Sequence, residues 1–284
     1  MPEISLVVPT INRVEELDRL FNSLCEQTFS DFDVVVVDQN NDNRVNPIIA
    51  KYSDKLQIAH IQTPSRGAAR ARNLGAKNCS GKIVGFPDDD CWYPPTLLAQ
   101  LSQCFLDHPD IHGWIGILVD ENGKPHNRWN PKKPKKLSLL DAFTQAAEPV
   151  IFFQRKSFEK VNGFDESLGV GAGTPWGAGE GTDLCVRMLN HKYQIQISPQ
   201  LLIHHKTTSL NENDDTQNIK GRVYSRGMGM VVRKNQLSNF LVIFLLIIIC
   251  RSFFWSIVKL NFNQAKYHLG RLIGLLEGYC NKVQ

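Results

Sequence analysis

The chain has no CxxC pair, although seven cysteines are scattered through its 284 residues. An odd, unpaired set of this kind excludes a disulfide framework and a zinc site, and it points to a reducing compartment. A charged, apolar leader is also lacking: Met1-Pro2-Glu3 runs straight into the apolar stretch Ile4 to Val8, so the working part is expected in the cytoplasm. No internal repeat is present, which excludes a solenoid or propeller. The formal charge is only +4 and no domain-wide basic face with interleaved aromatics exists, so no nucleic acid partner is expected. The charge is graded instead, with a mostly basic stretch from Lys220 onward that suits an anionic membrane surface. Finally, no apolar run reaches the about 20 residues that a bilayer span requires. The most extended one, Phe240 to Cys250, is broken by Arg251 and resumes through Phe253, Phe254, Trp255, Ile257 and Val258. Burying Arg251 at a bilayer centre would cost on the order of 3 kcal/mol. With basic residues on both flanks, residues 237–284 read as a helical tail lying in the cytoplasmic membrane interface.

What is present is an ordinary globular composition, 42% hydrophobic and 21% charged, enough for one sizeable core with an appendage. The first hundred residues alternate strand and helix. Ile4 to Val8 and Asp33 to Asp38 read as buried strands, too uniformly apolar for a one-sided antiparallel sheet. Between them Val14, Leu17, Leu20, Phe21 and Leu24 mark one face of an amphipathic helix. A short strand near Ile58 to Ile61, a helix from Ala68 to Ala76 and the strand Lys82 to Phe86 continue the rhythm. The expectation is an α/β, Rossmann-like, mostly parallel sheet with helices on both faces. Residues 1–106 would form its first half and 107–206 its second, followed by a linker over 207–236.

Three consecutive aspartates, Asp88, Asp89 and Asp90, stand right after the Lys82 to Phe86 strand. Ligands of open α/β sheets collect at strand carboxyl ends. Three carboxylates there repel one another unless a cation joins them, and Mg²⁺ or Mn²⁺ shared with a diphosphate suits that need. Pro9, Thr10, Asn12 and Arg13 follow the first strand, and Asp38 ends the second, where a carboxylate can accept from the imide N–H of a pyrimidine. Arg66, Arg70 and Arg72 can neutralise phosphate oxygens. Glu180 and Asp183 follow a glycine-rich loop running from Gly169 to Gly181, and either one can act as general base on an acceptor hydroxyl. His204 and His205 end a late strand, where imidazole can join the metal or the diphosphate. Trp176, inside the glycine loop, has two readings of equal weight: stacking on an acceptor sugar, or packing.

Together these residues resemble the family 2 glycosyltransferases, inverting enzymes of the GT-A fold, over roughly the first 205 positions. Val7 to Arg13 looks like the opening strand and nucleotide loop, and Val36-Val37-Asp38 like the base-contacting strand. Gly67 to Gly75, with Arg72-Asn73, is similar to the glycine-to-Arg-Asn segment, and Asp88-Asp89-Asp90 to the DxD signature, with Asp90 as metal ligand. Gly179 to Leu184 resembles the acidic acceptor-side motif, with Gly181 standing where the family's second acid, its usual base, would be. The resemblance implies transfer of a sugar from a nucleoside-diphosphate donor, UDP-linked by expectation, with inversion. The acceptor would be a lipid-linked or growing glycan at the cytoplasmic face of the inner membrane, in bacterial surface-polysaccharide synthesis. Two alternatives stand beside it. A sugar nucleotidyltransferase would want a glycine-rich loop after the first strand, and Thr10 to Glu16 contains no glycine. An inactive, membrane-tethered sugar-binding module has Gly181 as its support.

Overall fold

The computed structural model describes residues 1–126, 130–206 and 216–280. The chain divides into two compact units. The first comprises Met1–Arg66, Arg70–Phe164 and the segment from Leu184 through the last strand. Its elements in chain order are β1 (Ile4–Thr10), α1 (Glu15–Cys25), β2 (Phe32–Asp38), α2 (Asn46–Tyr52), β3 (Ile58–Gln62), α3 (Ala68–Asn78) and β4 (Ile83–Gly85). There follow β5 (Cys91–Trp92), α4 (Leu97–Asp107), β6 (Gly113–Val119), β7 (Lys135–Lys136), α5 (Leu139–Gln145), β8 (Ile151–Gln154), α6 (Arg155–Lys160), α7 (Glu180–Asn190), whose first turn belongs to the second unit, and β9 (Ile195–His205).

The strands form one sheet in the order β3-β2-β1-β4-β8-β6-β9-β5, with β7 beside β9. The first four run parallel, as their uniform apolarity requires: Ile4, Leu6, Val7, Val8 and Val34 to Val37 are at most 1% exposed. Each such side chain contributes about 1.5–3 kcal/mol on burial. β8 then enters antiparallel between β4 and β6, and β6 and β9 are again parallel. On the covering layer, α3 lies so close to β1 that a Cβ at Gly75 would collide with Val7. The parallel register brings Thr10 opposite Asp38, and the chain leaving β4 carries Asp88 to Asp90 toward the same edge.

The second unit comprises Gly67–Ala69, Asp165–Asp183 and the C-terminal helices. These are α8 (Thr216–Lys234), α9 (Asn239–Val258) and α10 (Phe262–Cys280). Where composition reads as a linker over 207–236, a 19-residue helix forms instead; the polar stretch over 211–215 lies outside the described residues. α8 and α10 run in the same direction with their backbones in close approach. A Cβ at Gly270, Gly274 or Gly278 would collide with the carbonyl of Asn218, Arg222 or Arg226 respectively. Glu277 ties the pair by accepting from Arg222 Nε (2.9 Å) and Arg226 Nε (2.7 Å). Those bonds, Arg222's foremost, pull its carboxyl down to about 2.

α9 runs unbroken through Arg251, which lies on its exposed side. The apolar block is therefore one 20-residue helix, long and apolar enough to cross a membrane, where the sequence reads as too short a run. Leu241, Val242, Ile249 and Ser256 form its buried stripe, and Phe240, Ile243, Phe244, Ile247, Phe254 and Trp255 stand exposed opposite.

Candidate active site

In the first unit, the cluster begins where β1 ends. Thr10 is 1% exposed. Asn12 then takes a left-handed backbone (φ 59°), which asparagine tolerates, and its N–H donates to Asn40 Oδ1 at 2.8 Å. This turn aims Arg13 at the aspartates. Arg13 Nη1 donates to Asp89 Oδ1 at 2.8 Å and also pairs with Asp90 Oδ2. From α3, Arg72 Nη2 donates to Asp88 Oδ1 at 2.6 Å, with its side chain only 4% exposed. Each aspartate of the triplet thus has an arginine partner, the compensation that three adjacent carboxylates require. Arg66 is not drawn in: it is exposed, and its carbonyl accepts from Arg70 Nη1.

The two inner carboxylates respond differently. Burial pushes Asp89 up to about 6 against the pull of Arg13. Burial also works to raise Asp90, but His205 and Arg13 outweigh it and hold the carboxyl below its ordinary value. His205 is raised in turn, chiefly by Asp90.

The late histidines separate. His205 Nε2 lies 3.4 Å from Asp90 Oδ1, while His204 donates from Nδ1 to the Asp120 carbonyl (2.9 Å) and stacks on Trp92. Successive strand residues point to opposite faces, so the expectation that His204 and His205 ligate together is corrected: only His205 faces the aspartates. Asp88 is engaged by Arg72. Among the described residues no group of three or more His, Cys, Asp and Glu is arranged to hold a metal. A divalent cation that takes one or two protein ligands plus substrate phosphates needs less. Asp90 Oδ1 is buried without a hydrogen-bond partner, and with His205 beside it the pair fits such an ion.

Asp38 is fully buried and already engaged. Its Oδ1 accepts from Asn40 N (2.8 Å) and Nδ2 (2.7 Å), and Oδ2 lies 3.2 Å from His60 Nε2. These bonds tie the carboxylate to the loop after β2.

Several residues of the cluster escape sequence reasoning. His60 reaches Asp38 through the β2–β3 register. Arg19, on α1, donates to the Asp90 carbonyl (2.8 Å) and caps the Trp92 ring at 4.4 Å. His126 meets His205 edge-on at 5.8 Å from a turn that no pattern announces. Only the helical spacing of Arg19 from the strand end offered a signal.

In the second unit, the glycine-rich loop leads into the first turn of α7. Glu180 is 4% exposed, and its carboxylate fills the space left by Gly169 (φ 93°), where a Cβ would collide with it. Asp183 is 0% exposed, accepting from Lys234 Nζ (3.0 Å) and Asn235 Nδ2 (2.9 Å); Lys234 also pairs with Asp165. Trp176 is 9% exposed, and its carbonyl accepts from Gly169 N–H.

The validoxylamine A glucosyltransferase of Streptomyces hygroscopicus subsp. jinggangensis is 36% identical over 233 residues, covering 70% of this chain and 54% of the relative. The poly(ribitol-phosphate) β-N-acetylglucosaminyltransferase TarS of Staphylococcus aureus is 33% identical over 148 residues, 50% of this chain and 26% of TarS. The structure of TarS 1–349 in complex with UDP-GlcNAc superposes with a TM-score of 0.64 at 16% identity, over 97% of this chain and 91% of that one. The mannosyltransferase PcManGT from Pyrobaculum calidifontis, solved with GDP-Man and Mn²⁺, gives 0.67 at 13% identity, over 99% and 88%. The chain spans about half the length, or less, of the curated relatives it matches. The family model for glycosyl transferase family 2 matches residues 5–162, more than half of the sequence, and the chain belongs to that family.

Proposed function

We propose that the protein transfers a sugar from a UDP-sugar to a hydroxyl of a lipid-linked or growing surface glycan, with inversion and with the help of Mg²⁺ or Mn²⁺. The observation that carries this is the strand-end cluster, in which Arg13, Arg72 and His205 converge on Asp88 to Asp90. Arg13 and Arg72 suit the diphosphate, because a planar guanidinium binds phosphate oxygens in a fork and stabilises the charge that grows as the donor leaves. A cation held by Asp90 and His205 would supply Lewis-acid stabilisation of that same leaving group. Glu180 takes the proton of the acceptor hydroxyl as its oxygen bonds to the anomeric carbon and the bond to the diphosphate breaks on the opposite face. Asp183, which accepts from Lys234 and Asn235, is the alternative base. The UDP-GlcNAc bound by TarS supports the donor class, and the poly(ribitol-phosphate) in that enzyme's name supports a polymeric, hydroxyl-bearing acceptor. The Mn²⁺ bound by PcManGT supports the cation.

A thermal-shift panel of UDP- and GDP-sugars, followed by release of the nucleoside diphosphate with and without Mn²⁺, tests this reading. UDP-sugars should raise Tm, since ligand at 100 times Kd stabilises by about 2.7 kcal/mol. A response to GDP-sugars alone would replace the donor class. Donor binding with no turnover on any glycan acceptor would favour an inactive tethered module.

The tail is proposed to lie in the cytoplasmic membrane interface. α9 buries one stripe in its own unit and exposes an apolar face with Arg251 in its middle, which suits half-immersion better than a lipid-surrounded span. Phe244→Glu combined with Trp255→Glu should cut flotation with anionic vesicles by about tenfold or more, because two exposed aromatics would no longer enter the interface. Unchanged flotation of the double variant, or none by the wild type at low salt, would remove the membrane from the reading. Truncation after residue 206 is a poorer test, because it strips Lys234 and Asn235 from Asp183.

A further inference from the structure

The two arginines of the aspartate cluster differ in a way that the proposed donor site leaves unused. Arg72 is fixed: its side chain is 4% exposed and bonded to Asp88. Arg13 is 43% exposed at its side chain and stands on the loop between β1 and α1. A single nitrogen of Arg13, Nη1, pairs with carboxylates of both Asp89 and Asp90. Asp90 meets His205 through its other oxygen, Oδ1. The Arg13 guanidinium therefore bears on the same carboxylate that a divalent cation would use. A dication and a guanidinium cannot share it cheaply, since even two unit charges 4 Å apart repel by about 1 kcal/mol in bulk water and more near a protein surface.

We propose that Arg13 and the divalent cation are alternative occupants of the Asp90 carboxylate, so that the nucleoside diphosphate, by drawing the Arg13 guanidinium onto its phosphate oxygens, opens the cation site that completes its own binding. This rests on the reading of the cluster as a nucleotide-diphosphate site. The exchange moves one positive charge from carboxylate to phosphate and admits the cation behind it. Donor and cation then bind with strong mutual cooperativity, and by reciprocity each tightens the other by the same factor.

The test is Mn²⁺ binding to the full chain, read from the free-ion signal in electron paramagnetic resonance, with and without UDP. Arg13→Gln should bind Mn²⁺ alone about tenfold or more tightly than wild type, and UDP should tighten Mn²⁺ less in the variant than in wild type. Arg13→Met, similar in length and uncharged, should behave as Arg13→Gln does and serves if that variant fails to fold, as judged by circular dichroism. Arg13→Lys keeps the charge and should stay closer to wild type. If the uncharged variants bind Mn²⁺ no tighter than wild type while UDP still raises the Tm of the wild type, this inference falls and the donor site stands. If the wild type binds neither UDP nor Mn²⁺, both fall.

Discussion

Asp90→Ala should lower sugar transfer by about 10³-fold, with most of the loss in kcat, because a cation polarising the leaving diphosphate is worth several kcal/mol and each 1.4 kcal/mol is a factor of ten. The substitution removes the oxygen that lacks a hydrogen-bond partner and the one that pairs with Arg13. Its effect on folding should be the smaller one, because Asp89 keeps Arg13 in place. Initial rates in Mg²⁺ and Mn²⁺, with Tm recorded on the same samples, separate the two effects. Full activity in the variant, or undiminished wild-type turnover in EDTA, would take the cation out of the mechanism. A parallel fall in Tm of more than a few degrees would make the residue a structural one.

Glu180→Gln should cut kcat by roughly 10² or more, the scale of a lost general base, and leave the Kd for UDP unchanged. The amide keeps the volume that fills the space beside Gly169, so the loop should hold its shape. Asp183→Asn should show the opposite pattern. Its carboxylate is buried and accepts from Lys234 and Asn235, so its loss should cost about 1–3 kcal/mol of stability and little in kcat. Chemical quench under single-turnover conditions, alongside urea denaturation, distinguishes them. If Asp183→Asn loses the rate and Glu180→Gln does not, the base is Asp183; if neither does, the motif is structural.

The parallel half of the sheet is legible in sequence because strands buried on both faces must be apolar through their centres, as Leu6 to Pro9 of β1 and Val34 to Val37 of β2 are. That apolarity stops at Thr10 and Asp38, so the strand ends, and with them the polar edge, can be read directly. What lies beyond that edge depends on pairing, which one chain does not display. Asp38 turns inward because Asn40 and His60 are there to bond it. His204 and His205 look equivalent as neighbours, but alternation along β9 sends one to Asp120 and the other to Asp90. α8 is the clearest divergence. Gly221, Gly227 and Gly229 lower its helix propensity, and its polar start reads as a linker. Burial of Val231 and Val232 and the close packing of α10 overrule that local preference.

The seam between α8 and α10 has a mechanical consequence. Carbonyls at Asn218, Arg222 and Arg226 face glycines at 270, 274 and 278, so both sides repeat every four residues. A seam built from backbone has few side-chain rotamers with which to absorb a small slip, and intermediate offsets set Cβ atoms against carbonyls. An offset of four residues, about 6 Å along the axis, brings Gly274 to Asn218 and Gly278 to Arg222 and so restores two of the three contacts. The helix pair is thus notched like a ratchet: rigid against small sliding loads, with one defined neighbouring detent in each direction.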